Sequence, residues 1–174
     1  MPYTNIEIKA RCSNHEMIRG ILKSQNADFK GVDHQVDIYF NVPHGILKLR
    51  KGDIENSLIF YKRKNQKDPK QSRIILFENP PTPVLEKILR SSLGTLISVN
   101  KTRETYHIGN VRFHLDKVRG LGDFVEIQAI NSDGKIGMEK LLQQCNHYMN
   151  LLEIKQEDLV RESYSDLLRK FVRD

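Results

Sequence analysis

The stretch VRFHLDKVRGLGDFVEIQAI, Val111–Ile130, consists of two runs of alternation around a short break. In the first run Arg112, His114 and Asp116 fall on one side and Phe113 and Leu115 on the other. In the second, Glu126 and Gln128 oppose Val125 and Ile127. Successive side chains of a strand point to opposite faces, so each run reads as a strand with one polar and one apolar face. Arg119–Asp123, with Gly120 and Gly122, supplies the turn between them. The polar faces carry acids and bases together, and that mixture poses the question of the fold.

The same pattern extends outward. Leu96–Ile108 reads as a strand joined to Val111–Val118 by Gly109-Asn110, a good two-residue hairpin turn, with Lys101 and Arg103 on one face. Further upstream, strands are predicted at Gln35–Asn41, Ile46–Lys51, Leu58–Lys64 and Ser72–Glu78. They are separated by Pro43-His44-Gly45, Gly52-Asp53 and the polar run Asn65–Gln71. Gln35, Asp37 and Tyr39 share a face, as do Lys48 and Arg50, which oppose Leu47 and Leu49. At the start of the chain, TNIEIKAR sets Asn5, Glu7, Lys9 and Arg11 against Ile6, Ile8 and Ala10. Helices are predicted after the capping-box pattern Ser13-Asn14-His15-Glu16, ending near Asn26, and from Thr82-Pro83 to Gly94. Helical spacing recurs over Lys135–Met149, in a short segment near Asp158, and over Ser163–Val172, where Ser163 with Asp166 forms a cap.

Two architectures produce such strands. In an antiparallel sandwich the charged faces meet water. In a closed barrel wrapped by helices, the apolar faces point out to the helices and the charges line the lumen. At 174 residues the chain is most simply one domain, with 28 Lys and Arg against 22 Asp and Glu for a net charge of +6. That balance suits a polyanionic partner. No apolar run approaches the ~20 residues of a membrane span, and no secretory pattern opens the chain, so a cytoplasmic location is expected. Cys12 and Cys145 stand far apart without a metal-ligand motif and read as reduced thiols. No Ser-His-Asp or Cys-His arrangement is legible, and the glycines at 120 and 122 form no phosphate loop.

The fragments NIEIK, LKLR, KTRETY, VRFHLDKVRGLGDFVEI and ESYSDLL, in this order and spacing, resemble the CYTH superfamily, or triphosphate tunnel metalloenzymes, from about Tyr3 to Leu168. The likeness is greatest to class IV adenylate cyclases and extends to thiamine triphosphatases and inorganic tripolyphosphatases. It implies an α+β fold, a closed eight-stranded antiparallel β-barrel with helices packed outside, over a single CYTH domain of residues 1–174. It also implies phosphoryl chemistry on a nucleotide or other organic triphosphate. By resemblance, Glu7, Lys9, Asp116 and Glu126 are catalytic, with Glu7, Glu126 and Asp116 as ligands of Mg²⁺ or Mn²⁺. Lys9, Lys48, Arg50, Lys62, Lys101 and Arg103 hold the phosphates; Lys62 and Arg63 have opposite parity, so only one is expected to face the lumen, and Lys62 is preferred for its match to the cyclases. Asp37 matches a further acidic position without an assigned role. Arg suits bidentate recognition of phosphate, Lys provides a point charge, and hard cations prefer carboxylate oxygens.

The chain departs from the family pattern at Asn5, where the signature has its first Glu, and at Gln128, where some hydrolytic members have another. An amide oxygen can ligate a metal but carries no charge. His114 has the parity to reach a phosphate, whereas His34, His44 and His147 read as surface or packing residues. The expected partner is a small-molecule triphosphate: ATP, thiamine triphosphate or tripolyphosphate. A homodimer is left open, and neither membrane nor nucleic acid is expected. Cyclase and hydrolase use nearly the same residues, so both stay open, as does a non-catalytic triphosphate sensor. A nucleic-acid-binding domain ranks behind these, because duplex binding needs positive charge on an accessible surface.

Overall fold

The computed structural model describes residues 2–63 and 66–172. Among them are eight strands: β1 (Pro2–Arg11), β2 (Asp28–Phe40), β3 (Ile46–Gly52), β4 (Asn56–Arg63), β5 (Lys70–Glu78), β6 (Thr95–Ile108), β7 (Val111–Val118) and β8 (Gly122–Asn131). The helices are α1 (His15–Ser24), α2 (Pro83–Leu93), α3 (Met138–Leu151) and α4 (Tyr164–Val172), with a 3₁₀ turn at Gln156–Asp158. Every strand pair is antiparallel, and the sheet closes in the order β1-β5-β4-β3-β2-β6-β7-β8, with β8 returning to β1. Closure excludes the sandwich. It also leaves no open sheet edge, and the strand alternation sorts into lumen and exterior.

The apolar strand faces point outward, where helices cover them. Ile6, Ile8, Phe113, Leu115, Val125 and Ile127 pack under α1 and α3 through Ile18, Leu22, Leu141, Cys145 and Met149. Ile38, Phe40 and Leu49, with Leu47 beside them, pack under Leu85, Leu89 and Leu93 of α2. α4 plugs one end of the barrel: Tyr164 and Leu167 meet Tyr39, Val99, Val118 and Phe124. Tyr164 also packs edge-on to Phe124, with ring centroids 4.9 Å apart. The lumen is therefore closed at that end by apolar packing and open at the other.

Several boundaries differ from the sequence expectation. β2 starts at Asp28, well before Gln35. Gly31, at φ +118°, sits at a register shift in the β2–β6 pairing that breaks the alternation. The N-cap of α1 is Asn14, whose Oδ1 accepts from the Met17 amide at 3.0 Å, one residue beyond the expected Ser13. α3 begins at Met138 behind an N-cap at Gly137, so the Lys135 start was too early. Ser163 does cap α4, accepting from the Asp166 amide at 3.1 Å. The predicted strand end at Lys64 and the first residue of the Asn65–Gln71 run lie outside the described residues.

Candidate active site in the barrel lumen

The lumen encloses a cavity of about 480 Å³. Its cationic wall is organised around two buried carboxylates. Asp37, on β2, is fully buried and opposite Arg50 in the β2–β3 register. It accepts from Arg50 Nε and Nη2 at 2.9 Å each, from Lys48 Nζ at 2.9 Å and from Lys101 Nζ at 2.8 Å. Burial alone would raise its pKa, but Arg50, Lys101 and Lys48 outweigh it and hold the carboxyl well below its usual range. Arg50 Nη1 extends to Glu55 at 3.0 Å. Glu55 is placed by the β3–β4 hairpin, whose Ile54 and Glu55 amides donate to Asp33 at 2.9 and 3.0 Å. Gly52 is required there, because a Cβ would lie 2.6 Å from the Glu55 carbonyl oxygen.

The second carboxylate is Asp116. It takes both arms of Arg103, at 2.7 and 2.6 Å, and the Tyr164 hydroxyl at 2.7 Å. Arg103 Nη2 also reaches Glu126 Oε1 at 2.6 Å. Asp116 is fully buried and sits behind Arg103, outside the cavity lining. Both its oxygens are engaged, by Arg103 and by Tyr164, so it holds Arg103 in place from behind the cavity wall. Arg50 and Arg103 thus have fixed orientations before any ligand arrives, which is the property phosphate recognition needs.

On the β1 side, Glu7 Oε1 accepts from Arg63 Nη1 at 2.6 Å, and Glu7 Oε2 from Gln128 Nε2 at 3.2 Å. Lys9 Nζ is 4.0 Å from Glu126 and 4.1 Å from the Tyr164 ring centroid. Burial lowers both Lys9 and Lys101 to about 7, partly offset by Glu126 in the first case and Asp37 in the second. His114 Nδ1 lies 3.6 Å from Glu126 Oε1, and burial together with Arg103 lowers its pKa.

Of the predicted residues, Glu7, Lys9, Lys48, Arg50, Lys101, Arg103 and Glu126 all line this cavity. Lys62 does not. It is exposed on the outer face, and Arg63 points inward instead. Ile59 and Tyr61, of the same parity as Arg63, stand opposite Lys48 and Ile46 in the β3–β4 register and so share their face. Sequence reasoning also missed Tyr61, Tyr164 and His107, all cavity-lining, and Lys70, whose ammonium donates to the Arg161 carbonyl at 2.9 Å. His34 is at the surface beside Asp53, as expected.

A row of buried polar atoms crosses three neighbouring strands without a protein partner: Asn5 Oδ1 and Nδ2, Ser72 Oγ, and Arg63 Nε and Nη2. The Asn5 oxygen lies on the same strand face as Glu7, so Glu7, Glu126 and this amide are the oxygen donors that could hold a hard cation. Among the described residues no three His, Cys, Asp or Glu side chains form a complete metal cage. The set fits a cation held by one or two carboxylates and shared with phosphate oxygens, as Mg²⁺ prefers.

The CYTH domain family profile matches residues 4–164. The chain belongs to the CYTH family. A Methanocaldococcus jannaschii protein named "Putative adenylate cyclase MJ0240" is 26% identical to this CYTH chain, covering 93% of it and 97% of the relative. The structure of the PH1012 protein from Pyrococcus horikoshii superposes with a TM-score of 0.80 at 27% identity, covering 94% of this chain and 98% of that one. A Hippeastrum protein, described as a putative adenylyl cyclase with a dominant triphosphatase activity, shares the fold at 12% identity and a TM-score of 0.64, covering 97% and 96% of the two chains. No helix among the described residues is long and apolar enough to cross a membrane.

Proposed function

We propose that this CYTH protein binds a triphosphate compound in its tunnel together with Mg²⁺ or Mn²⁺ and carries out phosphoryl chemistry on it. One observation carries the reading: Lys48, Arg50 and Lys101 converge on Asp37 while Arg103 is locked by Asp116, all around one cavity in the barrel lumen. Four cations held in a fixed array match a chain of phosphates, whose oxygens would displace part of the pairing to Asp37. The array supplies position and charge stabilisation, which account for most of the catalysis in phosphoryl transfer. Lys9 and Arg63 add cations from the β1 and β4 side. Glu7 and Glu126, with Asn5 Oδ1, would hold the divalent cation, which when bound neutralises phosphate oxygens and favours departure of the leaving phosphate.

In the cyclase version the ribose 3′ oxygen bonds to the α-phosphorus as the bond from that phosphorus to the α,β-bridging oxygen breaks; pyrophosphate leaves with the electron pair and the hydroxyl proton is released. In the triphosphatase version a water oxygen bonds to the terminal phosphorus as its bond to the bridging oxygen breaks, giving inorganic phosphate, the diphosphate product and a proton. The relative named as a cyclase favours the first and the Hippeastrum protein the second. A binding-only protein is the second reading, motivated by the neutral Asn5 and by the pairing of Glu7 with Arg63 and of Glu126 with Arg103. Incubation with ATP, thiamine triphosphate and tripolyphosphate, with Mg²⁺ or Mn²⁺ and with separation of products, distinguishes the three. Cyclic nucleotide with pyrophosphate supports the cyclase, phosphate release supports the hydrolase, and binding without turnover supports the sensor. Absence of binding to all three compounds overturns the proposal.

A further inference from the structure

Four arginines line the lumen, and carboxylates hold three of them: Arg50, Arg63 and Arg103. The fourth, Arg112, makes no side-chain hydrogen bond or ion pair among the described residues. Val111 and Phe113, on either side of it, are buried under the outer helices, so the alternation of β7 turns Arg112 inward. It follows the Gly109-Asn110 hairpin, at the far end of β7 from Val118 and the plug, and so stands at the open mouth. In the β6–β7 register it is opposite His107. Burial, with Arg112 and then Lys30 close by, lowers the His107 pKa. The mouth acids do not neutralise this wall. Asp28 is taken by Lys30 and Glu55 by Arg50, while Glu78 stands on β5, diametrically across the barrel from β6.

We propose, resting on the triphosphate reading above, that Arg112 seats a second anionic group of the substrate, a phosphate ester on its organic part. Arg103 and His107 are four residues apart on β6, ~13 Å along the strand, with Thr105 between them. The clamp and Arg112 are therefore two separate subsites on one wall. A nucleotide whose triphosphate lies on Arg103 extends its ribose toward the mouth, and the 3′ oxygen is the far side of that sugar. A phosphate there meets a guanidinium whose fork matches its oxygens and which has no carboxylate to give up. A neutral His107 adds one ring N–H. A plain nucleoside triphosphate offers only a hydroxyl at this place and leaves the positive charge of the mouth unanswered. Two sources carry the required group: a mononucleotide phosphorylated on its 3′ oxygen, and the triphosphorylated 5′ end of an RNA, whose first phosphodiester occupies the same position.

The test is equilibrium binding to the full chain of GTP, of guanosine 5′-triphosphate 3′-diphosphate and of the dinucleotide pppGpG, in chelator so that no metal-dependent turnover intervenes. Arg112→Gln and Arg119→Gln are measured beside the unaltered protein, the second removing an exposed cation outside the lumen. One or both of the 3′-phosphorylated compounds should bind about tenfold or more tighter than GTP, the scale of a charge-assisted hydrogen bond. Arg112→Gln should lose most of that preference while its GTP affinity stays nearly unchanged, and Arg119→Gln should keep it. A gain confined to the mononucleotide assigns the first source, and a gain with pppGpG assigns the RNA end as well. No preference over GTP, or a preference that Arg112→Gln retains, overturns the inference and leaves the triphosphate reading standing. So does inorganic tetraphosphate outbinding tripolyphosphate by the same Arg112-dependent factor, which would make the second anion a continuation of the chain. Binding of none of these compounds overturns both readings.

Discussion

Replacing Asp37 with Asn removes one charge and almost no volume from the centre of the cationic wall. Lys48, Arg50 and Lys101 would then lose the carboxylate that each reaches at 2.8–2.9 Å, in a place where Arg50 and Lys101 are themselves buried. Breaking a buried ion pair from one side costs about 3–5 kcal/mol. Total stability for a domain is typically about 5–15 kcal/mol, so the loss is a large share of it. At about 2–4 °C per kcal/mol for a chain of this size, the unfolding midpoint should fall by about 6–20 °C. The phosphates of a bound triphosphate restore the missing negative charge. The midpoint gained on adding tripolyphosphate should therefore be larger in the variant than in the unaltered protein. Thermal unfolding of both proteins, with and without tripolyphosphate, measures the two differences. A variant as stable as the original without ligand, or an unchanged ligand increment, would refute the view that Asp37 stands in for phosphate.

Arg103→Ala should weaken triphosphate binding by about 1.5–3 kcal/mol, the scale of a charge-assisted hydrogen bond, and should also destabilise the fold because Asp116 stays buried with only Tyr164 as partner. Calorimetry and denaturant unfolding check the two effects separately, and unchanged affinity would remove Arg103 from the site. Burial lowers Lys101 to about 7, so between that pH and the ordinary lysine value the folded protein holds fewer protons than the unfolded chain. Ligand-free stability should therefore rise with pH across this window, and triphosphate binding at pH 8 should take up protons that it does not take up at pH 6. Titrations in buffers of different ionisation enthalpy read this directly. Asn5→Glu places a carboxylate beside the unpartnered Arg63 and Ser72 groups and should tighten Mn²⁺ binding by about tenfold, the Coulomb gain being partly offset by desolvation. Mn²⁺ titration followed by electron paramagnetic resonance detects it, and unchanged affinity places Asn5 outside the metal shell.

The barrel was legible where one strand face is apolar and the other charged. β6, β7 and β8 alternate cleanly, so the lumen positions of Lys101, Arg103, His114 and Glu126 follow from parity once closure is known. β4 was not legible, because Leu58 and Phe60 face out while Ile59 and Tyr61 face in, and both sets are apolar. Parity alone therefore could not choose between Lys62 and Arg63; register against Lys48 does. The glycine bulge at Gly31 hid the first part of β2 in the same way. The sequence placed Asp37 and Asp116 on the right faces but could not reveal that they lie behind the cations, since that depends on how several strands meet across the barrel.

The closing strand pair and the plug come from opposite ends of the chain. β1 pairs with β8, the Lys9 carbonyl accepts from the Val160 amide at 2.9 Å, and the Lys70 ammonium reaches the Arg161 carbonyl. Contacts of such sequence separation carry a loop-closure cost and form slowly. A chain emerging from the ribosome must therefore hold β1 without its β8 partner until β8 has been synthesised, and the floor of the cavity is laid only when Tyr164 docks. The lumen would then take its final shape only once a residue as late as Tyr164 has been synthesised and has docked.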